Sequence, residues 1–225
     1  MIKIQMPMSK EYSHQQTARP AARLRFWPFA LVALGAVALC GCGSNPAWKS
    51  QSFAFALLDY SPPAVSKTNV VALRRVTISP LFQSHSFIYR TGENSYEQDP
   101  YSGFFTPPER AIEQPIRAWL RDGGALGYIV DPGSGLSPSL MTDISVNELY
   151  GDFRKTGHPA GVLQIHFILY ETSKGGPGRV LLDKVCTRQT AMTKATPAAL
   201  MVAWDADLRE IMTEINSELK QLPLN

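Results

Sequence analysis

Cysteine is nearly missing from this chain: there are three in 225 residues, and two of them, Cys40 and Cys42, are separated by a single glycine. That scarcity excludes a disulfide framework and any Cys-rich zinc site. Histidine is as sparse, and none of the four sits in an H-E-x-x-H or a Cys/His ligand cluster, so no metal site is signalled. The glycine-rich stretches Gly133-Ser134-Gly135 and Gly175–Gly178 lack the Lys-Ser/Thr of a phosphate loop and do not fit G-x-G-x-x-G. No serine lies in G-x-S-x-G. No cofactor is implied. A basic stripe for nucleic acid is also missing. Of the 22 basic residues, five (Lys3, Lys10, Arg19, Arg23, Arg25) precede residue 42, with Glu11 the one acidic residue there, so the remainder is close to neutral.

Long apolar runs are likewise absent, save one. Residues 26–39, Phe26 to Leu39, follow Arg19, Arg23 and Arg25 and end in small residues. A basic start, an apolar centre shorter than the roughly 20 residues of a membrane span, and a small-residue end read as a secretory signal. The ending Leu39-Cys40-Gly41-Cys42 resembles the lipobox of bacterial lipoproteins. The resemblance implies cleavage before Cys42 and attachment of a diacylglycerol to its sulfur, each buried methylene adding roughly 0.8 kcal/mol of membrane affinity. Cys40 is the poorer lipidation site, because Leu39 would fill a position that favours small residues. Gly43 follows Cys42 where the inner-membrane retention rule has Asp, which points to the outer membrane, facing the periplasm. The chain therefore divides into a signal over 1–41, a lipidated tether over 42–52 and one domain over 53–225. The third cysteine, Cys186, falls inside an alternating pattern and reads as a small core residue.

Within the domain, residues 53–59, 70–79, 86–91 and 94–98 read as strands, the last two a hairpin turned at Gly92. Thr106-Pro107-Pro108-Glu109 reads as a capped helix start, with Thr106 as cap and Glu109 closing a capping box. Ala111, Ile112, Ile116, Trp119 and Leu120 share one face of that helix. Pro115 is expected to kink or shorten it, and Gly123-Gly124 to end it. Residues 127–130 read as a short buried strand. Residues 144–153 alternate through Ile144, Val146, Glu148 and Tyr150. Residues 161–172 place Leu163, Ile165, Phe167 and Leu169 on one face, with Gln164, His166 and Tyr170 on the other. After a strand over 179–191, a helix from Pro197 carries Leu200, Trp204, Leu208, Ile211, Ile215, Leu219 and Leu222 at spacings of three and four. Asp205, Asp207, Arg209, Glu210 and Glu218 are assigned to its solvent face. The order β-β-β-β-α-β-β-β-β-α predicts an α+β fold, a largely antiparallel sheet with two main helices packed on one face.

One stretch carries more than scaffold needs. Residues 87–105 gather six aromatics among Arg90, Glu93, Glu97 and Asp99. Aromatics with arginine favour interface cores, which makes Tyr89, Arg90, Tyr96, Glu97, Asp99, Tyr101, Phe104 and Phe105 candidate partner contacts. The competing reading is a hairpin whose aromatics fill the core edge, with Arg90 paired to Glu97.

The same stretch resembles the ABC-type transport auxiliary lipoproteins, the partners of MCE-domain lipid transporters such as that of the paraquat-inducible system. The resemblance rests on the lipobox cysteine, the strand Phe53–Leu57 and Val76-Thr77-Ile78-Ser79-Pro80. It also rests on the pairs Tyr89-Arg90 and Tyr96-Glu97, on Phe104-Phe105, and on Trp119-Leu120. It implies a non-enzymatic role at the outer membrane, docking or organising an MCE tunnel protein served by an ABC permease and ATPase, with a homo-oligomer as a further implication. Two other readings stay open: a periplasmic lipid or lipoprotein carrier with an internal apolar cavity, and an anchored hydrolase whose site only folding would assemble.

Overall fold

A computed structural model of the chain describes residues 49–56, 67–173 and 176–224. The expected signal over 1–41 and the expected lipidation site Cys42 lie outside the described residues.

The elements run β1 (Gln51–Phe53), β2 (Val70–Leu73), β3 (Thr77–Ile78), a 3-10 turn over Pro80–Phe82, β4 (Ser86–Arg90), β5 (Tyr96–Phe104) and α1 (Pro108–Asp122). They continue with β6 (Tyr128–Val130), β7 (Leu140–Asp152), β8 (Ala160–Ser173), β9 (Gly176–Ala191) and α2 (Pro197–Gln221). The expected α+β class is found, with both helices against the sheet, but five strands precede α1 where four were expected. The nine strands of the described residues belong to one mixed sheet. Its long ladders, β7–β8, β8–β9 and β4–β5, are antiparallel. Its parallel pairings are short, because three separate strands share one edge of β7: β2 at Leu140–Thr142, β3 at Ser145–Val146 and β4 at Gly151–Asp152. The expected single strand over 70–79 is therefore two, β2 and β3, each taking a different part of β7. The first strand starts at Gln51, two residues before the expected Phe53, beside Ser102–Phe104.

Several local expectations are corrected. α1 starts at Pro108 with Pro107 as its cap and no side-chain capping bond, so Thr106 and Glu109 form no capping box. A proline disfavours helical geometry in the residue before it, so Pro108 holds Pro107 extended and moves the start past Thr106. Glu109 instead lies 3.6 Å from Arg75. Pro115 does not end α1, which runs through to Asp122 with Pro115 buried. β6 is the outer strand of the sheet beside β2, with Tyr128 exposed rather than buried.

The phase of β7 also differs from simple alternation. Ile144 and Val146 face α2, opposite Phe167 and Ile165, but the register shifts between Val146 and Glu148. Past that bulge Leu149 takes the helix-facing phase opposite Leu163, and Tyr150 turns to the other face. Leu163, Ile165, Phe167 and Leu169 are fully buried as expected. Tyr170 lies on the opposite face but is buried there, its hydroxyl donating to Asp143 Oδ2 at 3.2 Å.

α2 is capped by Thr196, whose hydroxyl accepts from the Ala199 N–H at 3.3 Å. It crosses the sheet closely where the strands carry glycine: a Cβ at Gly161 would meet Ala203 Cβ at 2.8 Å. Trp204 is completely buried there. Its ring meets Phe87 edge-on at 5.0 Å and stacks on Phe104 at 5.6 Å, and its indole N–H donates to the Tyr150 carbonyl at 3.3 Å. Farther along, Lys184 bridges Glu214 and Glu218 (3.0 and 3.1 Å), and Arg188 bridges Glu210 and Glu214. Cys186 sits buried between these two cations in sequence, and desolvation raises its thiol pKa, which keeps it protonated and inert.

Asp207 is not on the solvent face. It is fully buried, with Oδ1 accepting from Thr190 Oγ1 at 2.6 Å and Oδ2 without a partner. Burial pushes its carboxyl up to about 6. A pKa raised by folding means stability is fullest below the ordinary aspartate range and falls as pH rises through about 6. Asp207→Asn is therefore expected to stabilise the protein at pH 7.5 by about 3 kcal/mol or less and to change little at pH 4, read as denaturation midpoints at both pH values. Trp204→Ala is expected to cost about 3–5 kcal/mol in denaturant unfolding.

Candidate partner interface

The eight candidate contacts divide into those that hold the hairpin and those that face outward. β4 and β5 pair Tyr89 with Glu97 and Arg90 with Tyr96 across a turn in which Thr91 N–H donates to Ser95 O at 3.0 Å. Tyr89 is half-buried, its ring edge-on to Phe153 at 4.9 Å, and its hydroxyl donates to Asp99 Oδ2 at 2.6 Å. Burial, then the Asp99 carboxylate, raises the Tyr89 phenol, so it stays a donor. Asp99 also accepts the backbone N–H groups of Tyr101 and Ser102, both at 2.8 Å, and thereby shapes the bend at Pro100.

Arg90 is the centre of the opposite face. Its guanidinium lies 5.6 Å from the Tyr96 ring centre and 5.8 Å from that of Tyr150. It donates to the Glu93 carbonyl at 2.7 Å and, at 3.4 Å, to the Tyr150 hydroxyl, while its Nε is buried without a partner. Tyr96 and Tyr150 meet edge-on at 5.9 Å, and Phe82 from the 3-10 turn packs on both. The expected Arg90–Glu97 pair does not form. Antiparallel register puts Glu97 opposite Tyr89, and Glu97 instead accepts from Thr91 Oγ1 at 3.1 Å. The cation is held by two ring faces, the Glu93 carbonyl and the Tyr150 hydroxyl, which suits a guanidinium.

Phe104 belongs to the core through Trp204, Phe87 and Phe55. Phe105, the next residue, is 75% exposed, and Tyr101 is 43% exposed. With Glu97 they form the outward part of the candidate set. All three are on or just past β5, whose far end pairs with β1, a strand that begins nine residues after Cys42 in the sequence. The sequence did not single out Tyr150, Phe82 or Phe153, because their contacts to the hairpin depend on the β7 bulge and the placement of the 3-10 turn. Asp207 was legible: it falls three residues after Trp204 and four before Ile211, on the apolar stripe itself.

Among the described residues no group of three His, Cys, Asp or Glu could hold a metal ion, and no helix is long and apolar enough to cross a membrane.

No protein-family model and no curated protein matches the chain. Solved structures do resemble it. The Xanthomonas campestris protein XCC0632, of the family DUF330, superposes with a TM-score of 0.56 at 16% identity, over 76% of this chain and 85% of that one. An uncharacterized protein superposes with a TM-score of 0.62 at 10% identity, over 76% and 99%. Lipoprotein GNA1162 of Neisseria meningitidis is a looser likeness, with a TM-score of 0.36 and 10% identity over 65% and 99%. At these identities the likeness is one of fold.

Replacing Phe105 by Ser is expected to change folding stability by less than about 0.5 kcal/mol, as exposed positions do. Arg90→Ala, which strands the Tyr150 hydroxyl and the Glu93 carbonyl, is expected to cost about 2 kcal/mol. Urea unfolding of the two variants measures the contrast.

Proposed function

We propose that this chain is a lipid-anchored component of an MCE/ABC-type lipid transport system, held by Cys42 at the outer membrane and facing the periplasm. In this reading it carries no bond chemistry, and it docks or organises the tunnel protein. The observation that carries it is the lipobox at Cys42, placed a short tether before an α+β domain whose hairpin keeps Tyr101, Phe105 and Glu97 outward. The inward half of the same hairpin, through Tyr89, Arg90 and Phe104, fixes that surface rigidly. A rigid backing matters because an interface on ordered strands loses little entropy on binding. A homo-oligomer is a further part of this reading, with the exposed Phe105 as the residue to test in its contact. The alternative of a carrier with an internal cavity is less well supported, because the larger clefts described are open to the surface.

The test is a mild-detergent pull-down of the lipidated protein with mass spectrometry of what co-purifies. Recovery of an MCE protein with a permease and ATPase is expected. The Phe105→Ser variant is expected to lower that recovery while remaining folded. Undiminished recovery with this variant would move the docking surface elsewhere, and absence of such partners from the wild-type pull-down would end the reading. Cys42→Ser is expected to accumulate as uncleaved precursor, detected by intact mass and by membrane fractionation.

A further inference from the structure

β9 spans 16 residues, Gly176–Ala191, and among the described residues it pairs only with β8. That is about three times the usual strand length, and one whole edge of it is open. The ladder tells which backbone groups are free. The Met192 N–H donates to the Pro159 carbonyl at 2.8 Å, so β8 takes the hydrogen bonds of the even-numbered residues from Leu182 to Thr190. Asp183, Val185, Thr187, Gln189 and Ala191 therefore aim both N–H and C=O off the sheet. The Gln164 amide, which donates to Thr187 Oγ1 at 2.8 Å, agrees, because side chains approach most closely in pairs that lack mutual backbone bonds.

Open edges are usually blunted by proline, a bulge or lysine. β5, which β1 covers only at Ser102–Phe104, carries Pro100. β9 has no register shift from Leu182 onward and no proline after Pro177. The one charge among its outward-bonding residues, Asp183, is held 2.6 Å from His166. Lys184 and Arg188 lie on the helix side, bridged to Glu210, Glu214 and Glu218. Between them Val185 is 53% exposed.

We propose that β9 pairs antiparallel with β9 of a second copy of this chain, about a two-fold axis at Val185, joining two sheets into one. Such an interface is self-complementary, and charge selects its register. Centred on Asp183 it would oppose two carboxylates, on Lys184 two ammonium groups, and on Cys186 it would set Lys184 against Arg188; like charges directly opposite are destabilising. Centred on Val185, Asp183 meets Thr187, Lys184 meets Cys186, and the exposed valine meets its own copy. Centring on Thr187 would set Val185 against Gln189 and gain nothing from the Thr187 hydroxyl, which Gln164 already engages. The contact lies on the side of β7 away from β4 and β5, so it is separate from the Phe105 surface and does not rest on the transport reading.

The test is sedimentation equilibrium of the full-length protein in detergent, which is expected to show a dimer at micromolar concentration. Val185→Pro removes an N–H that points off the sheet and leaves the β8 ladder intact, as edge prolines do. Val185→Lys sets like charges opposite each other and serves as the second variant. Each is expected to raise the dimer Kd about tenfold or more, with an unchanged far-UV spectrum, and Phe105→Ser to leave the dimer intact. In a Cys186→Ala background, Val185→Cys is expected to form an intermolecular disulfide on mild oxidation, its Cα atoms about 5.5 Å apart. Thr187→Cys is expected not to, since its copies lie about 14 Å apart at about 3.4 Å per residue. A monomeric wild type, self-association unchanged in both Val185 variants, or cross-linking through position 187 in place of 185 would overturn the proposal. The pull-down of transport partners is scored separately, so either can fail without the other.

Discussion

One extra residue in β7 governs the rest of this fold. Before the bulge at Val146–Glu148 the even-numbered residues face α2, and after it the odd-numbered ones do. Leu149 and Gly151 thus lie under the N-terminal turns of the helix, while Tyr150 is delivered to the far side. There its ring and hydroxyl receive Arg90, while its backbone carbonyl accepts the Trp204 indole N–H from the helix side. A regular strand would put Tyr150 where the helix must pass and leave Arg90 without its second ring. The bulge is therefore what lets one end of the sheet be covered on both faces, by a helix on one and by an aromatic cage on the other.

That arrangement explains why so aromatic a hairpin is mostly interior. A short two-stranded ribbon is marginal by itself, and this one is secured by the half-buried Arg90 among Tyr96 and Tyr150 on one face and by the Phe87, Phe104 and Trp204 cluster on the other. Stacking and edge contacts of this kind add to the burial of large apolar surfaces. The outward residues Tyr101 and Phe105 then stand on a fixed base at the end of the sheet reached by the tether strand β1. The polar network of Asp99 serves the same end, tying Tyr89 to the backbone at Tyr101 and Ser102.

The contact between α2 and β9 follows a different logic. Lys184 and Arg188 reach across Cys186 to Glu210, Glu214 and Glu218, and hydrogen bonds from the two cations hold Glu214 below the usual carboxylate range. These pairs are partly exposed and individually modest. Asp207, by contrast, is buried on the apolar stripe with a single Thr190 hydroxyl for company, and it opposes folding at neutral pH. The same helix thus contributes register through its charged margin and loses some stability through one misplaced carboxylate.

Much of this was written in local sequence. Period-two alternation located β8, and spacings of three and four located α2 and its buried Trp204, because each depends only on neighbours along the chain. What the sequence could not show was partnership. Arg90 and Glu97 look like a cross-strand ion pair, but register set Glu97 opposite Tyr89 and gave Arg90 to Tyr150, sixty residues away. The six aromatics of the hairpin read alike until the fold separated Phe104 from Phe105, adjacent residues on opposite sides of the boundary with solvent. Composition determined what kinds of surface this chain could offer. Only the β7 bulge and the three strands sharing its edge decided which side chains face outward, since a one-residue shift in a strand exchanges its faces.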